Sequence, residues 1–386
     1  MTANPSERGD AMLPVDDIVR VNVNVSAGSS TDPLKYGTTL YIISMSTGTM
    51  QQYGIPDRFG EVFFFSSASN ARTVLQELNI TEDTHPSLFE NIDSYFAIQP
   101  KPRRFAFSYY DSLNYTDRET FQQIVKQYGE QFYIYINVGT STSYQEFIDD
   151  YIIADKLKCI QLVSQSSVSI YNIDRWYKRS SQRTMVFAVG QISDVFSLAG
   201  VLCGLVAENP NSAIQVCYKP ILGAIPIVES NKVETFESLN TNVYVQRSNF
   251  EFIEKGTVSS GARFEEVLYV DMIADELQNA LLNFITGSLV KLPQTDSTTD
   301  LFISECNRIL ERYYNMGVLA TQPWRNAGIG SVANGDIIEH GYICMADSFD
   351  TQTDADRAAH KAMPITILLC LSGSVESVEI TLYVQQ

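Results

Sequence analysis

The chain has 386 residues, of which 45% are hydrophobic and 19% charged, so it can bury real cores and is not an intrinsically disordered chain. Acidic residues outnumber basic ones by 45 to 27, which gives a net charge of −18. Because phosphate binding depends on clustered Lys and Arg, this balance excludes a nucleic-acid-binding role, and the length predicts two domains or three.

The N-terminal segment predicts a flexible arm followed by a strand. Residues 1–14 are polar and proline-containing. From residue 18 to 25, β-branched apolar residues alternate with polar ones, the pattern of a strand with one apolar face. Its apolar members are Ile18, Val19, Val21, Val23 and Val25.

Residues 36–250 alternate between strand-like and helix-like patterns. The predicted strands are 39–44, 105–110, 132–138, 159–163 and 185–189. The predicted helices are 71–78, 118–127, 143–154 and 193–207. This alternation predicts an α/β fold with a largely parallel sheet. A stretch punctuated by Pro and Gly, residues 219–242, then predicts a domain boundary near residue 250.

The last third predicts two long helices and two strands. Apolar spacing indicates helices over 263–284 and 299–315 and strands over 365–371 and 377–385. The apolar face of the final strand consists of Val378, Ile380, Leu382 and Val384. Both chain ends therefore carry an amphipathic strand that needs a partner sheet, in its own subunit or in a neighbour. The pattern alone favours pairing within the subunit.

No motif for catalysis or for a cofactor occurs in the sequence. The three histidines lack metal-ligand spacing, and no phosphate loop or nucleophile elbow is found. The six cysteines form no CxxC pair and are interpreted as reduced and buried. The acidic run 347–356 reads as a solvated helix N-terminus rather than a calcium loop. The sequence therefore predicts no enzyme, no metal and no cofactor.

The sequence also predicts no targeting signal and no membrane insertion. The N-terminus is polar, and the longest uncharged apolar run, residues 195–207, is shorter than the roughly 20 residues that span a bilayer. One alternative stays open at this point, a cytosolic α/β nucleotide-dependent enzyme that uses the glycine string at 328–333. That string does not follow a predicted strand, as a dinucleotide loop would.

The order of short motifs resembles that of the tail sheath proteins of contractile bacteriophages and related injection systems. The resemblance starts with VDDIVRVNVNV at residues 15–25 and YGTTL at 36–40. It resumes with motifs at residues 220–223, 234–244, 256–261, 269–271, 292–293, 313–320, 341–343, 354–359 and 364–365. Residues 45–215 show no match by eye.

This resemblance implies a structural subunit of the compact sheath type. Such subunits polymerise as stacked hexameric rings around a tail tube and contract to drive the tube through the host envelope. Their N- and C-terminal arms donate strands to neighbouring subunits, which reverses the expectation from pattern alone. The implied partners are other copies of the chain, the tail tube protein, and baseplate and tail terminator proteins. The implied location is the virion tail, assembled in the host bacterial cytoplasm.

The resemblance also implies a two-domain architecture with an inserted outer α/β domain. Residues 1–14 would form the arm, residues 15–33 with 251–386 the inner α/β domain, and residues 34–250 the outer domain. From residue 259 to 386, 17 acidic residues face 7 basic ones. We therefore predict that acids of the long helix contact a basic tube surface. The candidates are Glu265, Glu266, Asp271 and Asp275.

Overall fold

A computed structural model describes residues 34–128, 131–166 and 173–379. Within these residues the helices are α1 (Thr47–Tyr53), α2 (Ala68–Glu77), α3 (Pro86–Phe96), α4 (Asp117–Tyr128), α5 (Thr142–Ala154), α6 (Ile173–Arg179), α7 (Ser193–Glu208), α8 (Ser230–Ser238), α9 (Phe264–Gly287), α10 (Asp296–Asn315) and α11 (Asp354–Ala358). The strands are β1 (Thr38–Met45), β2 (Phe63–Phe65), β3 (Arg104–Asp111), β4 (Ile134–Ile136), β5 (Ile160–Ser166), β6 (Thr184–Val189), β7 (Asn242–Arg247), β8 (Phe250–Ile253), β9 (Gln322–Pro323), β10 (Ile337–Ile338), β11 (Tyr342–Ala346) and β12 (Ile365–Leu369).

An eight-stranded sheet forms the centre of the fold, in the order β2-β3-β1-β4-β5-β6-β7-β8. The strands from β3 to β7 in this order run parallel, whereas β2 and β8 are antiparallel edge strands. Strands β3 and β6 are almost completely buried, as expected for a sheet covered on both faces. The predicted α/β class with a largely parallel sheet is confirmed.

Helices cover the two faces of the sheet because successive strand residues point to opposite sides. Phe105 and Phe107 of β3 pack in the larger core with α3 and α7, whereas Ala106 packs on the other face with α4 and α5. Helix α7 lies so close to the segment after α3 that a Cβ added at Gly204 would lie 1.8 Å from the carbonyl oxygen of Pro100. Only glycine permits this approach.

The two long C-terminal helices pack onto the same core as the sheet. The first half of α9 is buried in the larger core, and α10 contributes Leu310 and Tyr313 to it. The boundary predicted near residue 250 falls at the turn between β7 and β8, inside the eight-stranded sheet. The division into inner and outer domains stays a prediction.

Beyond α10 the chain forms small antiparallel pairs, β9 with β10 and β11 with β12. Strand β12 confirms the strand predicted at 365–371. Residues 377–379 of the last predicted strand belong to no strand, and its remaining residues lie outside the described part. Among the helices that the structure describes, none has the length and apolar character needed to cross a membrane.

Candidate functional site

Helix α9 crosses the edge of the sheet at which the parallel strands begin, and two of its acids enter a buried charge network there. The cations and phenols come from residues just before four strands: Lys35 and Tyr36 before β1, Tyr133 before β4, Lys158 before β5 and Arg183 before β6. Parallel strands start at one edge of a sheet, so these side chains converge although they are far apart in sequence.

Asp275 is the first centre of this network. It accepts a hydrogen bond from Tyr36 Oη at 2.6 Å and pairs with Lys35 Nζ at 3.4 Å, and it also pairs with Lys158. Lys35 and Lys158 have exposed fractions of 0% and 1%, so both ammonium groups are withdrawn from water. A buried ammonium group requires a carboxylate, which Asp275 provides.

Asp271, one turn earlier on α9, is the second centre. Arg183 donates to both of its carboxylate oxygens, at 2.5 and 2.9 Å, and Tyr133 Oη donates at 2.9 Å. Burial works against the charge of Arg183, but the carboxylate of Asp271 holds the pKa of the guanidinium above its ordinary value. Burial and then the charge of Asp271 raise the pKa of Tyr133 well above its ordinary value, so this phenol remains a donor.

These contacts correct the prediction that Asp271 and Asp275 face a tube, whereas for Glu266, which is half-buried, it stays a prediction. Asp271 and Asp275 have exposed fractions of 1% and 4% and are paired inside the chain. Glu266 accepts a hydrogen bond from the backbone N–H of Arg263 and so caps the helix. Glu265 is also buried. Asp271 and Asp275 fix α9 to the sheet because leaving their pairs unmade in the interior is costly.

The C-terminal tail returns from β12 to the start of α9. The backbone N–H of Ser372 donates to the carbonyl of Val318 at 2.8 Å. Further along, Glu376 forms an ion pair with Arg263, and its carbonyl accepts a hydrogen bond from Tyr218 Oη. The tail therefore has a defined anchor at the first turn of α9.

Most of the predicted donor residues lie outside the part of the chain that the structure describes. Val378 follows the anchored part of the tail and is 77% exposed. Ile380, Leu382 and Val384 lie outside the described residues. The same holds for the N-terminal candidates, which are Ile18, Val19, Val21, Val23 and Val25.

The β11–β12 pair has packed faces and open edges, in the sense that neither strand has a second strand partner among the described residues; directly after β12, Leu371 forms a single bridge with Leu319. Leu368 packs with Trp324, Val332 and Ile338 on one face. On the other face, the half-buried side chains of β11 and β12 pack against the larger core. Within the part of the chain that the structure describes, no third strand pairs along β11 or β12. The sequence did not predict β11.

The features that suggested other chemistry have structural roles. The 328–333 string closes a tight turn in which Ile329 and Val332 exchange backbone hydrogen bonds, and no helix follows it. Thr353 caps α11 at the acidic run, as predicted for a helix N-terminus, and Asp356 pairs with Lys361. The described residues contain no cluster of three or more potential metal ligands.

Solved structures of contractile systems share this fold over nearly the whole chain. A chain of the anti-feeding prophage baseplate matches with a TM-score of 0.60 at 12% identity, covering 100% of both chains. A chain of the contracted PVC sheath complex, from an extracellular contractile injection system, gives 0.60 at 10% identity, covering 94% of this chain and 95% of its own. The sheath tail protein of Desulfitobacterium hafniense gives 0.53 at 8% identity, covering 90% and 100%. The chain thus has the fold of contractile tail sheath proteins.

The sequence itself matches a sheath family over its C-terminal part. Residues 264–384 match the model of the C-terminal domain of E217 tail sheath protein gp31-like proteins. This segment starts with α9 and includes α10 and the β11–β12 pair. No curated protein sequence matches the chain. The resemblance to contractile tail sheath proteins is confirmed by the fold and by this family match together.

Proposed function

We propose that this chain is the structural subunit of a contractile tail sheath. In this role it polymerises as stacked hexameric rings around a tail tube, and contraction of the polymer drives the tube through a host envelope. The observation that carries the proposal is the open-edged β11–β12 pair, which lies inside the segment that matches a sheath domain. A sheath subunit works through its contacts, so the role requires no active site.

The open edges favour strand exchange between subunits. A two-stranded sheet is marginally stable alone, and its unpaired backbone groups accept added strands readily. The two chain ends supply suitable sequences, because residues 18–25 and 378–384 each alternate apolar and polar side chains. We propose that the arms of neighbouring subunits add to β11 and β12 and so link the subunits into a continuous mesh.

The proposed partners follow from this assembly. They are further copies of the chain, the tail tube protein, and baseplate and tail terminator proteins. The proposed location is the tail of a virion assembled in the host cytoplasm. Because Asp271 and Asp275 serve inside the subunit, we propose that any tube contact uses other, exposed side chains of the acidic C-terminal third.

Negative-stain electron microscopy of the full-length chain tests the proposal. We expect hollow cylinders with six-fold end views across a concentration series. Uniform small particles that never polymerise, even with tube protein present, would contradict a sheath role.

The donor strand is tested by a matched pair of double variants. Val21→Asp with Val23→Asp places two charges on the apolar face of the predicted strand, whereas Asn22→Asp with Asn24→Asp places the same charges on its polar face. We expect the first variant to lose cylinders and the second to retain them. Equal assembly of the two variants would refute strand donation by residues 18–25 and leave the sheath role itself standing.

A further inference from the structure

Glu265 is a buried carboxylate without a counterpart in the network described above. It occupies the first turn of α9 and is only 5% exposed, and both of its oxygens are sealed from solvent. Within the described residues, neither oxygen accepts a hydrogen bond from another residue. An ionised carboxylate in such a place loses more hydration than its surroundings compensate, whereas a neutral one is tolerated.

The charges around Glu265 belong to the anchor of the C-terminal tail. Arg263, the residue before α9, pairs with Glu376 of the tail and donates its backbone N–H to Glu266. Glu266 and Glu376 repel an ionised Glu265, whereas its own backbone N–H and the guanidinium of Arg263 favour it. The phenol of Tyr269, one turn along α9, is the other titratable group near Glu265. Three carboxyl groups thus surround one guanidinium.

We propose that Glu265 is a proton-operated latch for the C-terminal tail. In its neutral form it is accommodated beside the docked Glu376, and loss of its proton places a third negative charge at the anchor and releases residues 375–379. The device goes beyond a sheath role and does not depend on it, because the docking occurs within one chain.

The direction of the pH effect follows from proton linkage. Burial, the largest cause, and the weaker repulsion by Glu266 and Glu376 raise the pKa of Glu265 from 4.5 to about 7, against the opposing effects of its own backbone N–H and of Arg263. The docked tail therefore binds a proton that the released tail gives up. Docking requires an ionised Glu376 to pair with Arg263 and a neutral Glu265, so it is strongest at mildly acidic pH and weakens as the pH rises through about 7.

Tail mobility measured against pH tests the latch in the full chain. Val378 is exposed, so Val378→p-azidophenylalanine offers a site for a fluorophore whose emission does not depend on pH. Time-resolved anisotropy between pH 5 and 9, at a protein concentration too low for assembly, reports the docked fraction. In the wild-type background we expect the probe to gain mobility with a midpoint near pH 7.

Three variants give the latch a specific signature. Glu265→Gln, which mimics the neutral form, should keep the tail docked at every pH. Arg263→Gln removes the anchor and should leave the tail mobile at every pH. Glu379→Gln, an exposed acid in the same tail, should behave as the wild type. Probe mobility that does not change with pH in the wild-type background, or that changes equally with pH in Glu265→Gln, would overturn the proposal. The measurement in the wild-type background is decisive even if a variant fails to fold.

Discussion

Replacing Asp275 by Asn should destabilise the fold far more than removing the adjacent acid of the same helix. The change leaves the buried ammonium groups of Lys35 and Lys158 facing a neutral amide. Breaking a buried pair in this way costs about 3–5 kcal/mol, because a charge without compensation stays in the interior. Glu276→Gln removes the same charge, but the pair of Glu276 with Arg312 has side chains that are 30% and 50% exposed. Such a pair contributes about 0–1 kcal/mol.

Urea unfolding followed by tryptophan fluorescence measures this difference. We expect the free energy of unfolding of the Asp275→Asn variant to fall by at least about 2 kcal/mol more than that of Glu276→Gln. Adding Lys158→Met to Asp275→Asn should recover part of the loss, because it removes one of the two buried charges. Equal losses for the two single variants would refute the reasoning, since the network would then be no stronger than a surface pair.

Two further predictions concern packing and thiol chemistry. Gly204→Ala should lower the free energy of unfolding by roughly 1–3 kcal/mol or more, because its Cβ would overlap the carbonyl of Pro100. Gly287→Ala is the control, because no described atom lies within 4 Å of the added carbon, and it should leave the free energy of unfolding unchanged in the same denaturation assay. In the native protein, the half-buried Cys370 should react with a thiol reagent before the buried Cys306, whose pKa burial raises to about 11. Mass spectrometry after timed labelling checks the order, and a faster reaction at Cys306 would contradict the packing described here.

The sequence predicted the strands and helices in which the spacing of apolar residues agrees with the side chains that the fold buries. Strands β1, β3 and β6 are mainly apolar because helices cover both faces of the sheet. Helix α3 was missed, although Pro86 at its start and the apolar spacing that includes Leu88, Ile92 and Phe96 were available as signals. Strands β7 and β8 were missed because the segment before them reads as a linker and the pair completes only the edge of the sheet.

The roles of the α9 acids could not be predicted from the sequence in this way. Acidic residues on a helix are usually solvated, and the partners that bury these two lie far away along the chain. Arg183 is 88 residues from Asp271, and Lys158 and Lys35 are 117 and 240 residues from Asp275. Only the topology, which aligns the starts of the strands at one edge, brings these groups together.

The central position of β1 determines how the fold resists mechanical tension. The strand begins three residues after Lys35 and is hydrogen-bonded to β3 on one side and to β4 on the other, all in parallel. A pull directed along the axis of β1 would load these hydrogen bonds in shear and all at once rather than opening them one by one. Lys35 passes part of the same force through Asp275 into α9. Tension on this end of the chain is therefore distributed over the sheet and the long helix together.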